Sequence, residues 1–203
     1  MKNLLSVAVL VIGMPLMAMN NVQPNNPRKR LFGSQPAVVP TPVAVIPQTL
    51  PESTGPQKFQ LKNQLNEVAA AVEFQKFHIQ LGLASNLFVP TIKELRELEE
   101  KLNDISREIK LGDSTLKHLA HTAKKKFAKA TSMLLNQFLT RVNNFAQYAR
   151  TNPVTQQRLE DAFNEYAIIF GYLHEFLSKG ETDYSESLDD IEADLTYIKS
   201  KTE

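Results

Sequence analysis

The chain has 203 residues, a formal net charge of +1 and no cysteine. Its length bounds it to one or two domains, and the missing cysteines exclude disulfides, thiolate nucleophiles and thiolate-held metals. There is no tryptophan and only 7 glycines, and a Leu, Ala, Glu and Lys background with so few glycines favours helix over sheet.

The N-terminus reads as a targeting segment. Lys2 supplies a positive start, and Leu4 to Met17 is an apolar run broken only by Ser6, Gly13 and Pro15. The run suits a signal peptide and falls short of the ~20 residues that a membrane span requires. Residues 1–18 are therefore expected to be a signal peptide, cleaved after Ala18. The alternative is an uncleaved membrane anchor. No Asn is followed two residues later by Ser or Thr, so N-glycosylation acceptors are absent. Together with the missing cysteines this points to export into a bacterial periplasm or to the outside.

Residues 19–57 carry Pro24, Pro27, Pro36, Pro40, Pro42, Pro47, Pro51 and Pro56. Each proline fixes φ and removes a backbone donor, so a disordered Pro-rich linker is expected here. Arg28-Lys29-Arg30 reads as a solvated basic cluster within it.

Residues 58–203 are expected to be all-α. A first helix over Lys58 to Ala84 carries Leu61, Leu65, Val68, Val72, Ile79 and Leu83, with Phe74, Phe77 and Leu81 widening the stripe towards a second neighbour. Asn86 to Pro90 reads as a connection, and Thr91 with Glu94 as a capping box. Leu95, Leu98, Leu102, Ile105 and Ile109 then make a heptad seam. Gly112 can stop that helix and Asp113 can cap the next, although the seam stays in register through Leu116, Leu119 and Ala123.

The longest stretch without Gly or Pro runs from Ser114 to Arg150. It would be roughly 55 Å long as a straight helix. Leu116, Leu119, Ala123, Phe127, Ala130, Leu134, Phe138, Val142 and Phe145 share one face. Asn152-Pro153 is expected to start the next helix, with Leu159, Phe163, Tyr166, Phe170, Leu173 and Leu177 at heptad spacing and Ala162, Ile169 and Phe176 in a second row. Asp183 with Glu186 is a cap candidate for a last helix bearing Tyr184, Leu188, Ile191, Leu195 and Ile198. The expected fold is an antiparallel helical bundle, or long helical hairpins, with coiled-coil-like packing.

One charge pattern stands out. Lys117, His118, His121, Lys125 and Lys129 fall opposite the apolar stripe of the long helix, with Lys124 and Lys126 beside them, and together they form a basic interaction face. An anionic membrane would attract it at ~1 kcal/mol per lysine. Nucleic acid is disfavoured, because no aromatic residue is interleaved for base stacking. The acidic run from Glu181 to Asp194, free of Lys and Arg, is an internal candidate for the same face. His118 and His121 are one turn apart, but the lysines around them repel cations, so no metal site is assigned. No catalytic or cofactor motif is found: a Glu-x-x-His pair, a glycine-rich phosphate loop and a serine elbow are all lacking. The expectation is an exported, non-enzymatic protein that binds a protein partner or itself. Adsorption to a membrane surface and a periplasmic holdase-type chaperone are the alternatives. No small-molecule substrate is indicated.

Overall fold

The structure, a computed structural model, describes residues 55–83 and 85–203. The expected signal peptide at 1–18 and the expected linker as far as residue 54 lie outside the described residues. Within them there are five helices and no strand: α1 (Gly55–Gln80), α2 (Ser85–Glu108), α3 (Ser114–Thr151), α4 (Gln156–Leu177) and α5 (Ser185–Lys199). The all-α expectation is met.

Helix α1 starts ahead of Lys58, so residues 55–57 belong to the helix and not to the linker. Pro56 lies in its first turn, where a missing N–H costs nothing. The helix closes at Gln80, short of Ala84, because Gly82 takes φ +62°. That left-handed conformation costs a glycine little and ends a helix.

Asn86 to Pro90 is not a connection. It forms the opening turns of α2, with Pro90 inside the helix. Proline so near the start breaks only one early backbone bond, and Phe88 is held by burial against Phe138, ring centroids 5.8 Å apart. Thr91 therefore caps nothing. It is buried, and its hydroxyl donates back to the Leu87 carbonyl at 2.8 Å. Glu94 instead accepts a hydrogen bond from Gln75 of α1.

The chain does break at Gly112, which adopts φ +109°. Asp113 precedes α3 without a side-chain cap bond. Its Oδ1 is buried beside Lys58 Nζ at 2.9 Å, an ionic contact rather than an aligned hydrogen bond. Helix α3 fulfils the reading of Ser114 to Arg150 to within one residue. Leu116, Ala123, Phe127, Ala130, Leu134, Phe138 and Val142 are buried as expected, Leu119 and Phe145 sit at the edge, and Ala120 and Ala146 join the core.

Asn152 ends α3 rather than starting α4. A residue before proline is pushed to extended backbone, and Asn152 has φ −128°, ψ 148°. Its backbone N–H donates to Tyr148 O at 2.9 Å. Thr155 then precedes α4 in extended conformation, without a side-chain cap bond. Before α5, Asp183 does act on the helix start: its Oδ1 accepts from the Ser185 backbone N–H at 3.0 Å, which holds the carboxyl below its usual range.

Consecutive helices run antiparallel. Gln75 meets Glu94, and Glu67 lies 3.8 Å from Lys101, across α1 and α2. Phe127 meets Phe176 and Phe145 meets Tyr166 across α3 and α4, with centroids 6.2 and 5.9 Å apart. Gln156 donates to Thr202 O beside α5. Helix α1 runs parallel to α3, because Lys58 lies at Asp113 while Gln137 donates to Ile79 O. Helix α3 is thus the axis against which the others close the core.

Candidate interaction surfaces

Helix α1 carries two apolar faces. Leu61, Leu65, Val68, Val72 and Ile79 are buried. At 100° per residue, Phe59, Phe74, Phe77 and Leu81 lie roughly 150° around the helix from that stripe. They do not widen the core face as the sequence suggested. They stay in solvent, at 65%, 59%, 55% and 63% exposure. Phe74 and Phe77 both meet His78 edge-on, with centroids 4.4 and 6.5 Å apart, so these three rings are connected, while Phe59 lies roughly four turns away along the helix. Ala70, Asn63 and Asn66 are exposed on the same face.

The basic face of α3 is divided by the structure. Lys117, His118, His121, Lys125 and Lys129 are exposed, and none of them is in an ion pair among the described residues. Lys124 and Lys126 are half-buried and drawn away to either side. Lys124 Nζ lies 3.5 Å from Glu181, and Lys126 Nζ lies 3.7 Å from Glu73 of α1. The acidic run does not cover the ridge. Glu181 reaches only the flanking Lys124, while α5 packs on the far half of α3. There Asp194 turns inward to Asn143 and Arg150, each at 3.1 Å. Glu186, Asp189, Asp190 and Glu192 face solvent. No group of three or more His, Asp or Glu among the described residues is placed to hold a metal ion.

Between α2, α3 and the α4–α5 loop is a cleft of about 110 Å³, lined by Glu99, Lys124, Phe127, Phe176, Glu181 and Tyr184 among others. Typical small-molecule sites measure ~300–1,000 Å³. Burial pushes the Glu99 carboxyl above its usual range, and repulsion from Glu100 and Glu181 adds to this against Arg96 and Lys124. Burial also raises the Tyr184 phenol, with Glu99 adding to the effect against a hydrogen bond with Thr182. A carboxyl with a raised folded pKa is neutral in both states at low pH, and its contribution is lost as pH rises through the folded value. Ionised Glu99 thus opposes folding at neutral pH. Glu99→Gln is expected to raise Tm at pH 7, with the gain over wild type shrinking as the pH is lowered into the acid range. Thermal melts of both proteins across pH check this; a lower Tm for the variant at pH 7 would contradict it.

Comparison with protein-family models, curated proteins and solved structures finds no match. The surfaces are therefore read from their own chemistry. Sequence reasoning located the ridge but missed the aromatic face of α1. The signal was present, since Phe59 and Phe77 are five full helical turns apart on the side opposite Leu65.

Proposed function

We propose that this chain is an exported, non-enzymatic helical protein that works by binding another protein through the outward face of α1. The observation that carries the reading is the row of Phe59, Phe74, Phe77 and Leu81 standing in solvent on one helix face. Scattered exposed apolar residues such as Phe59 are ordinary, but neighbouring ones such as Phe74, Phe77 and Leu81 on one folded surface support an interaction site. Phe is also enriched at the cores of protein interfaces. Export rests on Lys2 and the apolar run from Leu4 to Met17.

A second reading, adsorption to an anionic membrane surface, is favoured by the unpaired Lys117, Lys125 and Lys129. Such adsorption is weak and sensitive to salt, because exposed charges are screened over ~8–10 Å.

Photo-crosslinking separates the two surfaces. A benzophenone side chain at position 77 of the full chain, in the cells that make it, is expected to capture protein. The same probe at position 125 is expected to capture none. Absence of any adduct from position 77 would overturn the reading, and adducts from position 125 alone would transfer it to the ridge.

A further inference from the structure

We propose that this chain also binds a small organic carboxylate, in a trough along the middle of α3. The trough has a volume of about 510 Å³ and is lined by Gly82, Phe88, Asn136, Thr140, Arg141 and Asn144 among others. That volume falls within the ~300–1,000 Å³ of small-molecule sites, unlike the cleft beside Glu99. None of Phe59, Phe74, Phe77 and Leu81 lines it, so it is distinct from the aromatic row of α1. Its walls come from the α1–α2 turn, the start of α2 and the middle of α3, and no local run of sequence announces it. Gly82, at φ +62°, has no heavy atom within 4 Å of where a Cβ would stand, so that wall is open.

Arg141 sets the charge of the ligand. Among the described residues it is the only charged side chain that lines the trough. Its guanidinium lies 6.0 Å from the ring centres of both Phe88 and Tyr166, which are buried. Rings on either contact restrain the side chain, so less freedom is lost when an anion binds. Arg141 Nη2 lies 3.6 Å from Glu165 Oε1, an ion pair too long for a hydrogen bond. None of its N–H donors makes a hydrogen bond among the described residues. A planar fork with donors to spare suits a carboxylate, which it can hold bidentately. With Glu165 beside the single guanidinium, the site matches one negative charge rather than two. The rest of the lining is neutral. Asn136, Thr140 and Asn144 follow at i, i+4 along one side of α3, ~6 Å apart. The Thr140 hydroxyl donates to the Asn136 backbone O at 2.7 Å, which leaves its oxygen to accept. Neither the Asn136 nor the Asn144 carboxamide makes a hydrogen bond among the described residues, so each offers donors and an acceptor. The ligand class follows: one carboxylate for Arg141, beside an amide or hydroxyl for the carboxamides and Thr140.

The test is an NMR titration of the full chain with N-acetylglycine, which carries a carboxylate and an amide. Saturable shifts are expected in the side-chain amide signals of Asn136 and Asn144 and in the Arg141 Nε–H signal. N-acetylglycinamide, which lacks the carboxylate, is expected to leave them in place. Asn144→Asp, at an exposed position, should keep the helicity and weaken binding at least ~10-fold, because it sets a second carboxylate against the first. Arg141→Lys keeps a cation beside Glu165 without the fork and should weaken binding by about the same factor. No saturable shift at roughly 10 mM N-acetylglycine, well above a Kd of ~1 mM, would overturn the proposal. Equal shifts with the neutral amide would overturn it too, as would undiminished binding by both variants. Shifts confined to Lys117, Lys125 and Lys129 would place the anion on the ridge and empty the trough of this role. Inorganic phosphate that displaces N-acetylglycine from the same signals at lower concentration would assign the trough to phosphate groups and overturn the carboxylate.

Discussion

Phe138→Ala is expected to cost about 3–5 kcal/mol of folding stability, the range for emptying a fully buried aromatic site. Phe138 lies at the middle of α3 with 0% exposure. The Phe88 ring of α2 and the Tyr166 ring of α4 meet it edge-on, with centroids 5.8 and 6.1 Å away. Truncation removes both ring contacts and leaves a cavity walled by three helices, which cannot close without moving one of them. Against a typical total of ~5–15 kcal/mol, such a loss is a large part of the stability. Urea unfolding should show a lower midpoint at an unchanged slope. Ile168→Ala, on the outward side of α4, is the internal control, because its side chain is 59% exposed and its cost should stay within about 0.5 kcal/mol. Equal costs for the two variants would contradict the assignment of inner and outer faces.

Helix α4 shows what periodicity can and cannot decide. Heptad spacing on α4 placed Phe163 and Phe170 on the seam. Both are only partly buried, while Ile169 and Phe176 from the second row are deep. The two rows lie within one helical turn of each other, and a straight helix drifts ~20° per heptad against a strict 3.5-residue repeat. A small rotation, set by neighbours that the local pattern does not contain, chooses between them. Ile168 and Tyr172 consequently stand outside, with Lys93 Nζ 5.3 Å from the Tyr172 ring centre. Helix α3 holds more fully buried residues than the more apolar α4.

Element existence was more legible than element ends. The stretch from Ser114 lacks breakers and has one apolar face, so no local signal competed with helix. The ends turned on single residues with two meanings. Asn152-Pro153 can open a helix or close one, and the extended backbone forced before proline closed α3. Pro90 looked like a stop and became an early helical residue, because Phe88 gains burial only if the turn around it is helical. Gly112 could have been passed through, and its positive φ shows that it was not. The candidate sites divide in the same way. The lysine ridge followed from charge at helical spacing. The aromatic face of α1 was counted as core because apolar residues were assumed to seek the interior, although their angle placed them on the opposite side.

Arg150→Ala is expected to destabilise the chain by about 2–3 kcal/mol and to loosen α5 selectively. Asp194 is buried on the inner side of α5, where Arg150 Nη2 lies 3.1 Å from Oδ1 and Asn143 Nδ2 lies 3.1 Å from Oδ2. The guanidinium also lies over the Tyr197 ring, 4.4 Å from its centre. Removing the cation leaves a buried carboxylate with one neutral donor. Breaking a fully buried pair in this way costs ~3–5 kcal/mol. Arg150 is more than one-third exposed, so water already screens part of the attraction, and the expected loss lies below that range. Arg150→Lys should restore little, since an ammonium reproduces neither the planar fork nor the stacking on Tyr197. Asp194→Ala should cost less than Arg150→Ala, because the arginine left behind can turn to solvent. The double variant should cost less than the two single losses added together, the mark of direct coupling. Helix α5 has 15 residues, and isolated helices of ~12–15 residues are marginal in water. Its order therefore depends on docking, and amide exchange in residues 185–199 should accelerate before that of α3. An Arg150→Ala variant within about 0.5 kcal/mol of wild type, with α5 still protected, would show that the apolar contacts of Ile191 and Ile198 hold the helix without the ion pair.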